Sequence, residues 1–195
     1  MSETFEKRQL YGGAIEIDIP RRFIDVTSYR HIPDHQELFS DEKSDQSVII
    51  ELNEFQDHIS NANAIKHHYE VLVEDAGIST DKSVILNFRE LTQAEMPNFD
   101  ASIPKYVLLA QQKIAKFNET AENTINIYMA LVRLEKSKTD LLITFNEAIA
   151  LAPTSSSVAV VQNLTPSNDQ SKSEQLFLTM LKSFKIKDYS LFVHN

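Results

Sequence analysis

Cysteine is absent from this chain of 195 residues, so neither disulfides nor cysteine-ligated zinc can hold its fold together. Glycine is nearly absent as well. Gly12, Gly13 and Gly77 are the only three, which excludes a glycine-rich loop cradling a nucleotide phosphate and a GxSxG nucleophile elbow. No stretch approaches the ~18 consecutive apolar residues of a membrane-spanning helix. The opening MSETFEKRQL lacks the apolar run of a signal peptide, so the expectation is a soluble, intracellular protein with no membrane partner. Positive charge is scarce too: 19 Lys and Arg face 28 Asp and Glu, a net charge of −9. Phosphate backbones need clustered bases, so nucleic acid is not the expected partner.

What is present suits a globular domain. Hydrophobic residues make up 42% of the chain, and its length fits one domain with a sizeable core. The excess acid is concentrated. Asp34, Glu37, Asp41, Glu42, Asp45, Glu51, Glu54 and Asp57 stand against Lys43 alone. Such a segment is either a solvated face or a docking surface for a basic partner.

The pattern of apolar residues predicts mostly strands. Residues 14–19 alternate, with Ile15, Ile17 and Ile19 on one side, and Pro20 stops them. Residues 36–39 fit a short edge strand, and 47–53 a strand with Val48, Ile50 and Leu52 inward. Further strands fall at 83–91, 105–117, 123–134 and 139–146, and the short polar links between the last three favour antiparallel hairpins. A helix is expected at 60–76, with Ala62, Ile65, Tyr69, Leu72, Val73 and Ala76 as its buried stripe. Ser60 or Asn61 can cap its start and Gly77 its end. A second helix is expected at 169–184, burying Leu176, Phe177, Met180, Leu181 and Phe184. Residues 1–9 read as frayed and 153–168 as a loop. The expected fold class is α+β: a central, mainly antiparallel sheet of about six strands between helices, α/β/α in section.

Chemistry-bearing clusters are few. His31 and His35 have the spacing of a zinc pair, but that spacing converges only on a helix, and Pro33 lies between them. His67 and His68 read as surface histidines on the first helix. No metal, no cofactor and no catalytic constellation is expected, and nothing marks one carboxylate as a general acid in an apolar pocket.

Three consecutive stretches carry a resemblance. They are LYGGAIEIDIP (10–20), IDVTSYRHIPDHQELF (24–39) and DQSVIIELNEFQ (45–56), followed later by QQKIAKFNE (111–119) and KTDLLITFNEA (138–148). In order and spacing they resemble the Ran guanine nucleotide release factors, the Mog family, whose wider fold group includes the PsbP proteins. The resemblance covers most of 10–148. Leu38 stands where Val is common, and 153–166 matches no part of the pattern.

The resemblance implies a single Ran-binding domain, a monomer found in the nucleus and also the cytoplasm. It implies a protein that binds the small GTPase Ran, promotes release of its guanine nucleotide and serves nuclear transport. It also implies a binding surface made of Asp25, Asp34, Gln36 and Glu37, with Asp45, Gln46 and Glu51 from the neighbouring strand. Asp25 could instead cap the turn that follows it. Two other readings stay open: an adaptor that docks a basic protein without exchanging nucleotide, and a small-ligand pocket between helix and sheet.

Overall fold

The turn after Leu10 needs three consecutive residues with positive φ, Tyr11 (49°), Gly12 (66°) and Gly13 (94°), which is where the two adjacent glycines are spent. It folds β1 (Phe5–Leu10) back on β2 (Ile15–Pro20) in an antiparallel pair. In this computed structural model, residues 3–115, 122–155, 157–160 and 170–192 are described. The hairpin shows that residues 5–9 are not frayed. Their polar side chains gave no strand signal, but β2 supplies the backbone partners from Phe5 onward.

The remaining strands follow in chain order. They are β3 (Ile24–Asp25), β4 (Gln36–Asp41), β5 (Gln46–Glu54), β6 (Ser83–Glu90), β7 (Lys105–Ala115), β8 (Glu122–Leu134), β9 (Thr139–Ala150) and β10 (Lys185–Ile186). Helix α1 (Asn61–Asp75) lies between β5 and β6; α2 (Ser157–Val160) and α3 (Gln170–Ser183) follow β9. Among the described residues the strands make two sheets rather than one of about six strands. β1, β2 and β10 form a three-stranded sheet, and the other seven form a sheet ordered β3-β4-β5-β9-β8-β7-β6, antiparallel at every junction. The strand at 14–19 therefore belongs to the small sheet, not to the central one.

Two cores flank the large sheet. On one face, Ala64, Ile65, Tyr69 and Val73 of α1 pack on Leu108, Met129 and Leu142. On the other, Phe177, Met180, Leu181 and Phe184 of α3 share a core with Tyr128, Phe145 and the isoleucines of β2. The small sheet and α3 thus cover the same side. The rings of Phe145 and Phe177 stack 6.3 Å apart at the centre of that side. Truncating a ring buried so completely costs about 3–5 kcal/mol.

Helix α1 ends as expected. Gly77 takes φ 63°, and the N–H groups of Gly77 and Ile78 return to the carbonyls of Glu74 and Val73. Its start differs: Ser60 occupies the capping position without a side-chain bond, and Asn61 accepts from Arg133 instead. Ala62 and Ala76 are exposed, while Ala64 and His68 are buried in their place. Within 153–168, Ser157–Val160 form a short helix, and 156 and 161–168 lie outside the described residues. Phe117 and Asp169, the expected ends of a strand and of the second helix, also lie outside them.

Candidate functional site

The acidic segment folds into the β4–β5 hairpin and the irregular stretch that leads to it. Pro33 and the turn after it, closed by the Gln36 N–H on the Pro33 carbonyl, carry the chain onto β4, where Gln36 pairs with Glu51 and Asp41 with Gln46. The hairpin lies next to the end of the large sheet. Only the two residues of β3 lie outside it, against Phe39 and Ser40, so Gln36 to Leu38 form an open strand edge among the described residues.

Five of the expected site residues gather at this edge. Gln36 donates from Nε2 to Oε1 of Glu51 at 2.6 Å. Glu37 points to the opposite face, where its Oε1 accepts the backbone N–H of Tyr11 at 2.7 Å. Burial pushes the carboxyl of Glu37 above its ordinary pKa against the Tyr11 bond, and the neighbouring charge of Asp25 adds to the rise. Burial likewise pushes Glu51 up, although the bond from Gln36 opposes it. Asp34 is exposed, and its side chain has no partner among the described residues.

Asp25 is also exposed, and it does cap the turn: its Oδ1 accepts from the backbone N–H of Thr27 at 2.8 Å and from the Thr27 hydroxyl at 2.6 Å. Its other carboxylate oxygen takes no part in the cap, and β3 places Asp25 beside Phe39 at the same edge. Asp45 and Gln46 lie elsewhere. Gln46 and Glu51 are five steps apart on β5, or ~17 Å of strand. Asp45 turns the hairpin with φ 50° and accepts from the Ser157 hydroxyl at 2.9 Å. Gln46 donates to Glu147 at 2.9 Å. Nearby, Asp41 is buried and bound by Arg22 at 2.7 Å, so it holds the hairpin rather than facing solvent. The surface drawn from the motif is therefore two clusters, one at the open edge and one at the hairpin turn. Glu54 and Asp57 continue the exposed acid beyond Glu51.

Two organising groups were not among the expected site residues. Tyr11 reaches across from the small sheet. Its hydroxyl lies 3.0 Å from the carbonyl of His35 and 2.9 Å from that of Ile50, within reach to donate its one proton to either. This ties both strands of the hairpin to the Gly-Gly turn. Burial raises the Tyr11 phenol far above its ordinary pKa, which keeps it a donor at any working pH.

The second is a buried polar network under the loop that follows β5. Asp140 is fully buried; one oxygen accepts from His68 Nε2 at 2.9 Å, the other from Arg133 Nε at 3.1 Å. Arg133 then donates to the carbonyls of Gln56 (2.6 Å) and Ile59 (2.8 Å), and its guanidinium lies 4.1 Å from the ring centre of Phe55. Burial works to raise the Asp140 pKa, but the bonds from His68, Gln56 and Arg133 outweigh it and hold the carboxyl below its ordinary value. His68 is thus a core residue with a carboxylate partner, not the surface histidine expected. His31 and His35 are exposed, and no group of three or more possible metal ligands occurs among the described residues.

Comparison with known proteins places these features in a family. Residues 8–148 match the family described as Ran-interacting Mog1 protein. The chain is similar to the Ran guanine nucleotide release factor of Danio rerio, 34% identical over 186 residues, covering 95% of this chain and 98% of that one. It is similar to the nuclear import protein mog1 of Schizosaccharomyces pombe, 31% identical over 168 residues, covering 84% and 86%. The crystal structure of the Saccharomyces cerevisiae Ran-binding protein Mog1p superposes with a TM-score of 0.71 at 26% identity, over 98% of this chain and all of the other.

Proposed function

The chain belongs to the Ran-interacting Mog1 family, and from that premise we propose how its hairpin edge acts on Ran. It binds the small GTPase Ran, promotes release of the bound guanine nucleotide and serves nuclear import. It is a regulator of Ran. The finer reading is that no bond is made or broken on this protein, and that it works as a monomeric, single binding domain in the nucleus and the cytoplasm.

The contact surface is the open edge at Asp25, Asp34, Gln36, Glu37 and Glu51, with Asp45 and Gln46 at the hairpin turn as an outer contact. The observation that carries this is the group of acids around one open edge: Glu37 fixed by the Tyr11 N–H on β4, the exposed Asp25 and Asp34 beside it, and Glu51 held by Gln36 on the other face of the hairpin. Glu37 and Glu51 are partly desolvated before a partner arrives, so pairing each with a cation recovers more than it would at a fully solvated site. Their bonds to Tyr11 and Gln36 fix them in place, so little side-chain entropy is lost on binding.

A GTPase holds its nucleotide through a phosphate loop, a lysine and a magnesium ion. Carboxylates suit the emptied site, because they pair with the basic groups that phosphate vacates and repel phosphate itself. A factor that binds empty Ran better than loaded Ran must lower nucleotide affinity by the same factor. The test is to titrate nucleotide against a preformed complex with Ran. Dissociation of the complex by nucleotide supports exchange. Equal affinity for empty and loaded Ran leaves a docking adaptor.

A further inference from the structure

The far edge of the large sheet is built differently from the acidic one. β6 is the last strand in the sheet order, paired only with β7 among the described residues. Its outer backbone groups are therefore available, and edge strands in that position are normally guarded by Pro, by Lys or by their own brevity. β6 is eight residues long and contains neither. Its guards are an irregularity between Ile85 and Asn87 and the charges of Arg89 and Glu90 beyond it, which leave Ser83 to Ile85 as a regular, uncharged edge. The strand also exposes apolar side chains in series: Val84 is 51% exposed, Leu86 49% and Phe88 39%.

Beside that edge lies a groove of about 600 Å³ between the end of α1 and β6. Tyr69, Val73, Ile78 and Ile85 supply its apolar walls, and Glu70 and Glu74 stand on its rim. Both glutamates are exposed and make no ion pair among the described residues. The bases nearby are already held: Lys82 by Glu122, Arg89 by Glu95, and Lys66 over the Phe88 ring at 3.8 Å.

We propose that β6 and this groove form a second protein-docking surface, which takes an extended partner segment bearing an apolar residue next to lysine or arginine. The segment adds as a strand along Ser83 to Ile85. Main-chain bonds to the edge provide affinity, and the groove accepts one side chain and so provides specificity. The rim of Glu70 and Glu74 selects the cationic neighbour. A second copy of this chain is a poor occupant, because its own β6 would bring only bases that are already paired. The surface lies at the opposite edge of the sheet from the hairpin, so Ran and this segment can be held together.

The probe is a set of fluorescein-labelled heptapeptides alternating Val or Leu with Lys, read by polarisation on the full chain. Control sets replace Lys with Glu, or place Pro at the centre. The Lys set binds, and the Glu and Pro sets are weaker by about tenfold or more. Bound Lys peptide protects β6 amides from hydrogen exchange. Glu70→Lys with Glu74→Lys reverses the preference to the Glu set, Val84→Arg abolishes binding of the Lys set, and Ran binding is unchanged in both variants. The proposal is overturned if no set binds, if the Lys and Glu sets bind equally, if Pro is tolerated, or if protection falls outside β6. Concentration-dependent dimerisation lost in Val84→Arg also overturns it, since a second copy would then be the occupant.

Discussion

The backbone N–H of Tyr11 donates to Oε1 of Glu37 at 2.7 Å, and through that bond the turn of one sheet aims a carboxylate at the edge of another. The Tyr11 hydroxyl reinforces the link by reaching the carbonyls of His35 and Ile50. Tyr11 and Glu37, 26 residues apart, thus join the glycine turn and the acidic hairpin into one structural unit.

Tyr11→Phe removes the hydroxyl but keeps the ring and the backbone bond to Glu37. The expected loss is about 0.5–1.5 kcal/mol of stability, the worth of one ordinary hydrogen bond. Urea unfolding measures it. Ran affinity should fall less than in Glu37→Lys, because the carboxylate stays in place.

Glu37→Gln separates stability from function. A carboxyl whose folded pKa is raised binds its proton more tightly in the folded state than in the unfolded one. Its ionisation therefore destabilises the fold as pH rises from the unfolded value, 4.5, through the raised folded value. The amide variant keeps an acceptor for Tyr11 and escapes that cost. Its Tm should exceed the wild type's at neutral pH, and the gap should close as pH falls to 4.5 and below. Its Ran binding should be weaker at neutral pH. A Tm below the wild type's at neutral pH would show that the charge stabilises the edge.

Asp140→Ala leaves the guanidinium of Arg133 buried without its carboxylate, and His68 without its partner. The expected cost is about 3–5 kcal/mol, the range for breaking a buried ion pair from one side. In the wild type the depressed Asp140 pKa contributes stability that is present above 3.8 and lost as pH falls through the folded value. The variant should lose that part of the acid-side slope in denaturation followed against pH.

Local pattern made much of the fold legible. The alternation of Ile15, Ile17 and Ile19, the Gly77 stop and the α3 stripe around Phe177 all follow from side-chain period and turn chemistry. What escaped depends on distant partners. β1 has a polar sequence, FEKRQL, and is a strand because β2 pairs with it. His68 is buried because Asp140 awaits it 72 residues later, and no periodicity announces such a partner. The apolar start of β6 marks a strand, but its place at the sheet edge, which leaves Val84 and Leu86 in solvent, is set by neighbours the local pattern does not show. At the candidate site, the motif named the acids but not their division. Strand register puts Gln36 beside Glu51 and moves Asp45 and Gln46 to the other end of the hairpin.

The most direct test of the hairpin edge is the rate at which fluorescent nucleotide leaves Ran, compared between the wild type and the double variant Asp34→Lys with Glu37→Lys. Circular dichroism and the melting curve check that the variant keeps its fold. The wild type should accelerate release, and the folded variant should leave the rate near that of Ran alone. Release by the folded variant as fast as by the wild type would contradict the assignment of this edge as the surface that acts on Ran.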